Sequence, residues 1–194
     1  MVDASDVIFL CLRPQHAEAA IAPLKFRDGQ RIVSAMAGVT DAQLSTWCAP
    51  VTDYVRTIPF EYIEHGGCPL PALGNDGLLR DLYEPENPVI KVDSEDALNA
   101  HFAACTVLPG LLDLMATGAN WLAARTGDAQ GSEIYLKSLI SGYIGAREGS
   151  LAEERDALAT EGTLSLQMTT ELQSAGAHAA LKDGLNAIEE RLKA

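Results

Sequence analysis

The stretch Val7-Ile8-Phe9-Leu10-Cys11-Leu12 is almost continuously apolar. A strand that is covered on both faces, as in a parallel sheet, has this pattern. Two more β-like runs follow it, Arg31-Ile32-Val33-Ser34-Ala35-Met36 and Tyr54-Val55-Arg56-Thr57-Ile58. The three runs therefore predict strands of one parallel sheet.

A helical pattern separates each pair of runs. Residues 15–25 carry apolar side chains at helical spacing, namely Ala17, Ala20, Ile21 and Leu24. Residues 40–47 begin with Thr40 as a predicted N-cap, and Gln43 stands at the capping-box position. Strand, helix, strand, helix, strand at this spacing predicts consecutive βαβ units.

The pattern changes in the middle of the chain. Residues 61–87 are rich in Gly, Pro and Asn, with one weak strand candidate at 70–73, and a last short β run covers 89–92. After Asp93 the pattern is helical throughout, and Pro109 is the only proline. This shift predicts a domain boundary near residue 92.

The helical half is rich in apolar residues. We predict helices over 94–118, 119–126, 129–147, 150–159, 164–175 and 177–193. In 108–115 and 134–144 the apolar residues nearly circle the helix, which is typical of helices that are buried on most sides. We therefore expect a homodimer that forms through these helices. The predicted fold class is α/β, with a parallel sheet in residues 1–92 and an all-α dimerisation domain in 93–194.

Composition argues against several kinds of partner. The chain of 194 residues has 14 basic and 27 acidic residues, a net charge of −13, so its surface should repel nucleic acid and anionic membranes. No apolar run approaches the roughly 18 residues of a membrane span, and the acidic first six residues predict no signal peptide. The four cysteines form no C-x-x-C pair, as expected of reduced thiols in a cytoplasmic protein. We expect no metal site.

Ligands of an open parallel sheet bind beyond the carboxyl ends of its strands. The residues at these ends are Leu12, Arg13, Pro14, Ala37, Gly38 and Pro59. A glycine lets a flat ring approach the backbone, and Arg13 is a cation that can pair with a phosphate or a carboxylate. Spacing alone leaves the alternative open that these are ordinary loops and that Arg13 is a surface charge.

Four segments resemble the pyrroline-5-carboxylate reductase family, in the family's order. Residues 5–15 resemble its fourth strand and the Lys-Pro-Gln loop, here Arg13-Pro14-Gln15. Residues 32–40 are similar to its fifth strand and Ala-Gly turn, and residues 55–59 to its Val-Arg-x-Met-Pro run. Residues 162–181 resemble its last substrate-site helix and the helix after it.

The resemblance implies an NAD(P)H-dependent oxidoreductase that transfers hydride to a small cyclic imine, 1-pyrroline-5-carboxylate, to give proline. Residues 1–92 would be the C-terminal half of a Rossmann-type dinucleotide-binding domain. The residues implied near the nicotinamide of NADP or NAD are Leu12, Arg13, Pro14, Ala37, Gly38 and Pro59. The substrate carboxylate would lie on Gly162, Thr163 and Ser165, at a helix N-terminus that favours an anion. The resemblance assigns no catalytic side chain, since hydride transfer requires placement above all.

The sequence departs from the family pattern in three ways. It contains no G-x-G-x-x-G, so we expect that it starts at an internal methionine of a longer chain; the alternative is a true remnant. Phe60 replaces the family's Asn after the third run. Two other family runs, Ser-Gly-Pro-Ala and Gly-Gly-Thr-Thr, are here Val107-Leu108-Pro109-Gly110 and Gly162-Thr163-Leu164-Ser165. These changes leave open a non-catalytic dimeric relative that has lost cofactor binding, or a reductase with another hydride carrier such as a deazaflavin.

Overall fold

Five strands form one sheet in the computed structural model, which describes residues 2–193. They lie side by side in chain order and are β1 (Val7–Leu10), β2 (Arg31–Ser34), β3 (Asp53–Thr57), β4 (Leu70–Gly74) and β5 (Val89–Lys91). The first three strands are parallel, and Phe9 lies opposite Val33, which lies opposite Val55. Strand β4, for which the sequence predicted no direction, runs antiparallel to β3 and parallel to β5. The predicted α/β class with a mostly parallel sheet and a helical C-terminal part is confirmed.

Three helices connect these strands, namely α1 (Pro14–Ile21), α2 (Asp41–Trp47) and α3 (Asp76–Tyr83). The capping box predicted for α2 is present, since the Thr40 hydroxyl accepts from the Gln43 backbone N–H and the Gln43 side chain accepts from that of Thr40. Helix α3 was not predicted, because it lies in the stretch rich in Gly, Pro and Asn. Its N-cap is Asn75, whose side-chain oxygen accepts from the Leu78 N–H.

The two faces of the sheet bury different side chains, as the alternation of a strand requires. One face holds the cluster Ile8, Leu10 and Ile32 with Ala17, Ile21 and Leu44 of α1 and α2. The other face holds the cluster Val33, Val55, Leu70 and Ala72 with Leu78 and Leu79 of α3. Phe9 of the edge strand β1 belongs to this second face and is 47% exposed.

Helix α4 (Glu95–Cys105) follows β5 and forms a smaller cluster. Its buried Leu98 packs against Ile58 and Val92, which follow β3 and β5. Helix α4 belongs to the same compact unit as the sheet, since this unit extends to Cys105 and includes the segment from Ala187. The second unit is Thr106–Asn186. The boundary near residue 92 stays a prediction.

The helices of the C-terminal part are α5 (Val107–Thr126), α6 (Ala129–Gly145), α7 (Leu151–Leu158), α8 (Leu164–Ser174) and α9 (Ala177–Lys193). The break predicted between residues 118 and 119 is wrong, since α5 runs without interruption from Val107 to Thr126. Pro109 is tolerated because it lies in the first turn, where backbone N–H groups have no intrahelical acceptor. Helices α5 and α6 pack against each other as a hairpin.

One helical stretch, which the sequence analysis did not identify, has the length and the apolar composition of a membrane span. The stretch Glu95–Thr126, which covers α4 and α5, contains an 18-residue window with a mean hydropathy of 1.5, of which 11% is buried. By length and composition alone this helix could cross a membrane. A helix whose apolar surface packs against another protein chain meets the same criterion.

Candidate functional site

The carboxyl ends of β1, β2 and β3 lie at one edge of the sheet, because the three strands are parallel. A cavity of about 310 Å³ lies at these ends and extends over the α3 face of the sheet. Its lining includes Cys11, Ala35, Thr57 and Pro59 from the strand ends, with the aromatic rings of Phe60 and Tyr83. A cavity of this size with an apolar lining suits a small aromatic ring better than a whole dinucleotide.

The predicted cofactor residues all follow these strand ends, but the cavity contacts one of them. Pro59 lines the cavity. The others are Leu12 and Ala37, which are half-buried, and Arg13, Pro14 and Gly38, which are exposed. Gly38 has φ +70°, a conformation that other residues rarely adopt, and no atom lies within 4 Å of the position that a Cβ would take. The Ala37-Gly38 turn is therefore an open piece of backbone.

Sequence reasoning missed Cys11 and Ala35 as lining residues. The predicted strands ended at Leu12 and Met36, whereas β1 ends at Leu10 and β2 at Ser34. Because the ends were placed two residues too late, Cys11 and Ala35 were assigned to strand interiors. A signal was present, since Arg13-Pro14 requires the chain to leave the strand before the proline that begins α1.

The polar groups of the cavity are few. The hydroxyl oxygen of Thr57 is buried and has no hydrogen-bond partner among residues 2–193. The Tyr83 hydroxyl stays protonated near neutral pH, because burial, reinforced by Cys11 and Cys68, raises its pKa above the usual 10.0. The cavity therefore offers neutral hydroxyls together with the side-chain carboxyl group of Glu61, which also lines it, and Tyr83 cannot act as a base at neutral pH.

The charges that follow the strand ends are unevenly placed. The Arg13 guanidinium lies after β1 and makes no ion pair within residues 2–193. By contrast, the N-terminus of α2 is already occupied, because a carboxylate oxygen of Glu95 accepts from the Asp41 backbone N–H at 2.6 Å. An anionic ligand is thus favoured near Arg13 and disfavoured at α2.

The predicted substrate residues belong to the second unit and surround the start of α8. Gly162 has φ +80°, and Thr163 is the N-cap. The Thr163 hydroxyl accepts from the Leu166 N–H at 3.2 Å and donates to the Thr160 carbonyl at 2.7 Å, so it has no proton left for a carboxylate. Ser165 is exposed in the first turn. Backbone N–H groups and Ser165 are the available donors.

Metal ligands do not assemble in the part of the chain that the structure describes. No group of three or more His, Cys, Asp or Glu residues within 2–193 could hold a metal ion.

Comparison with known proteins identifies solved structures of similar fold. The pyrroline carboxylate reductase of Plasmodium falciparum, solved with NADP bound, has a TM-score of 0.83 and 13% identity, over 97% of this chain and 76% of that one. The 1-pyrroline-5-carboxylate reductase of Streptococcus pyogenes has a TM-score of 0.83 and 19% identity, over 99% and 77%. That of Coxiella burnetii has a TM-score of 0.78 and 19% identity, over 98% and 76%.

No protein-family model and no curated protein matches the sequence. At 13% to 19% identity, the likeness to the solved structures shows the fold. The chain thus has the fold of pyrroline-5-carboxylate reductases, and its activity is argued below from its own residues.

Proposed function

We propose that this chain is the larger part of an NAD(P)H-dependent reductase that acts on a cyclic imine, as pyrroline-5-carboxylate reductases do. The observation that carries the proposal is the cavity at the ends of three parallel strands, and Arg13, which follows the first of these strands, adds a cation at the same edge of the sheet. The likeness to a reductase with NADP bound supports it, as do the four family-like segments of the sequence.

The residues present fit the nicotinamide half of such a cofactor. The cavity of about 310 Å³ can take a flat ring, and the buried Thr57 hydroxyl lacks a partner. The cofactor would supply the hydride, and the chain would orient the ring and exclude water through Phe60 and Pro59. Arg13 would neutralise a phosphate or the substrate carboxylate.

A second set of residues would receive the substrate carboxylate. At the start of α8 the N–H groups of Leu164 and Ser165 have no acceptor among residues 2–193, and the Ser165 hydroxyl is exposed. A helix N-terminus stabilises an anion through these N–H groups and the helix dipole. Thr163 would act by holding the turn in shape.

We also propose that additional chain covers the open side of the sheet. Strand β1 pairs with β2 alone among residues 2–193, so its other edge is free, and Phe9 is 47% exposed. Parallel sheets are normally covered on both faces. A preceding strand and helix that carry the phosphate-binding glycines would cover both features.

The helical unit is proposed to be a homodimer interface. Of the residues in Thr106–Asn186, Ala119 and Ser132 are fully buried. The large apolar side chains left more than 50% exposed include Leu114, Trp121, Ile134, Tyr135 and Leu139. Stable dimers bury such side chains over roughly 1,600 Å². A second copy of the chain, rather than a membrane, would cover the apolar surface of α5 and α6. The dimer would then be a cytoplasmic protein.

One set of observations favours a different candidate, a dimeric relative without catalysis. Phe60 stands where the family has an amide, and Val107-Leu108 stand where it has Ser-Gly. The first change puts an apolar ring in place of an amide at the strand-end cavity, which Phe60 lines, and the second removes a hydroxyl from a family-like run. Such a protein would keep the dimer interface and bind no nucleotide.

Binding of NADPH and NADH by calorimetry distinguishes the two candidates. The 194-residue chain and a version extended upstream by its coding sequence are titrated side by side, followed by 1-pyrroline-5-carboxylate reduction. The reductase proposal expects binding and turnover at least by the extended version. Arg13→Gln should weaken binding, whereas Arg31→Gln, which removes the same charge at the amino end of β2, should not. Failure of both versions to bind would refute the reductase and favour the non-catalytic relative.

A further inference from the structure

Arg56 is a buried cation inside β3. Its side chain is 3% exposed, and Nη1 donates to Asp41 Oδ1 at 2.9 Å and to Glu95 Oε1. Both carboxylates are 40% exposed. Arg56 therefore binds two partly exposed carboxylates, one at the start of α2 and the other at the start of α4.

The contacts close into a triangle. Glu95 Oε1, which accepts from Arg56, also accepts from the Asp41 backbone N–H at 2.6 Å. Asp41 is the first residue of α2 and Glu95 the first residue of α4. One guanidinium thus fixes the starts of two helices relative to the strand that ends at the cavity.

This network is connected to the Ala37-Gly38 turn along the chain. The chain passes from the end of β2 through this turn to the Thr40 N-cap and then to Asp41. No atom lies within 4 Å of a Cβ placed on Gly38, so packing does not hold that side of the turn. The turn is anchored at its far end through Asp41.

The energetics also favour a positioning role. A buried arginine has a large desolvation cost, and well-packed apolar residues often stabilise a protein as much. The cost here is incompletely offset, because Arg56 Nε and the Ser34 hydroxyl, which lie on register-paired residues, have no partners among residues 2–193. Stability alone therefore does not explain the buried Arg56, whereas a need to hold the starts of α2 and α4 in fixed positions does.

We propose that Arg56 is a positioning residue that acts through Asp41 and Glu95 to set the Ala37-Gly38 turn. The turn follows the end of β2 and is predicted to lie near the nicotinamide, so the consequence for nucleotide binding rests on the proposed function. The consequence for the turn itself does not.

Hydrogen–deuterium exchange of the segment 36–44 tests the proposal directly. Glu95→Ala removes the acceptor of the Asp41 N–H, and Arg56→Met removes the cation. Exchange of the segment should become about tenfold faster or more, which corresponds to loss of a hydrogen bond to a charged group. The control Arg27→Met removes an exposed arginine that pairs with Asp6 at 2.5 Å and should leave the segment unchanged.

A second control separates positioning from general loss of stability. Val89→Ala truncates a buried side chain of β5, which lowers stability without touching α2. If Val89→Ala accelerates exchange of 36–44 as much as Glu95→Ala does, or if Glu95→Ala changes it less than twofold, the positioning role is wrong.

Nucleotide binding tests the consequence. If the wild-type protein binds NADPH, Arg56→Met and Glu95→Ala should weaken its Kd at least fivefold at a temperature where each variant is folded, and Arg56→Lys should recover part of the loss. Faster exchange with unchanged Kd would refute the link between the turn and the site. If neither the 194-residue chain nor its extended version binds nucleotide, the proposed function fails, and the exchange result still decides whether Arg56 positions the turn.

Discussion

Asn87 connects the segment after β3 to the segment before β5, and its loss should be costly. Asn87 is buried, with 4% of its surface exposed. Its Oδ1 accepts from the buried Cys68 N–H at 2.9 Å, and its Nδ2 donates to the Ile63 carbonyl at 3.2 Å. Ile63 lines the strand-end cavity. The residue therefore supports one wall of the candidate site from behind.

The magnitude for Asn87→Ala follows from these two bonds. The Cys68 N–H would remain buried without an acceptor, at a cost of about 1–3 kcal/mol, and the half-buried Ile63 carbonyl would lose a bond worth about 1 kcal/mol. We expect the free energy of unfolding to fall by about 2–4 kcal/mol, measured by urea unfolding at one fixed protein concentration. Asn186→Ala, on the exposed part of α9, should change it by less than about 0.5 kcal/mol.

A second variant separates the two bonds. Asn87→Asp keeps the acceptor for Cys68 but turns a carboxylate toward the Ile63 carbonyl. Burial beside a carbonyl oxygen should raise the pKa of the new carboxyl in the folded state, so the stability of this variant should be higher at low pH and fall as pH rises through that pKa. The reasoning is refuted if Asn87→Ala costs less than about 1 kcal/mol while unfolding remains cooperative, since a buried unpaired N–H cannot be that cheap.

Three further predictions concern other parts of the molecule. Leu114→Glu, at a site 59% exposed on α5, should convert the proposed dimer to a monomer in sedimentation velocity, whereas Leu114→Met should not; an unchanged mass would place the interface elsewhere. Burial raises the pKa of the Cys48 thiol from 9.0 to about 11, so the unfolded state loses the thiol proton at a lower pH than the folded state does. The free energy of unfolding should therefore fall between about pH 9 and 11 in the wild type, and less steeply in Cys48→Ala. Equal slopes would contradict this. Ser150→Ala removes the capping box of α7 and should cost about 1 kcal/mol in thermal unfolding, while Ser150→Thr should cost much less; no loss in Ser150→Ala would show that α7 contributes little to the measured transition.

Local signals in the sequence predicted local structure well. Thr40 and Gln43 identified the start of α2 because a capping box needs only four residues. Helix α3 escaped detection because its surroundings are rich in Gly, Pro and Asn, although Asn75-Asp76 followed by Leu78 and Leu79 is itself a helix-start pattern. The direction of β4 could not be predicted, since a short apolar run has the same pattern in either orientation.

The position of the candidate site follows from the sequence, whereas its lining does not. The rule that ligands bind at the carboxyl ends of parallel strands predicts the edge of the sheet where the cavity lies. The lining of the cavity depends on where each strand ends, and strand ends predicted two residues too late placed Cys11 and Ala35 inside strands instead of at the cavity. The contact between Arg56 and Glu95 joins residues 39 positions apart, so no local pattern reports it.

The charges at the strand ends indicate how an anionic ligand would be oriented. Helix N-termini usually attract phosphates, but that of α2 already holds Glu95, and the cluster of Arg56, Asp41 and Glu95 carries one positive and two negative charges. A phosphate beside Gly38 would therefore meet a net negative charge. On the β1 side, Arg13 has no carboxylate partner among residues 2–193. The neutral ring of a nucleotide would then lie toward Gly38 and its phosphates toward Arg13. Glu95→Gln keeps an acceptor for the Asp41 N–H but removes one negative charge, so it should tighten the binding of an anionic nucleotide. Weaker binding would show that the phosphates lie elsewhere.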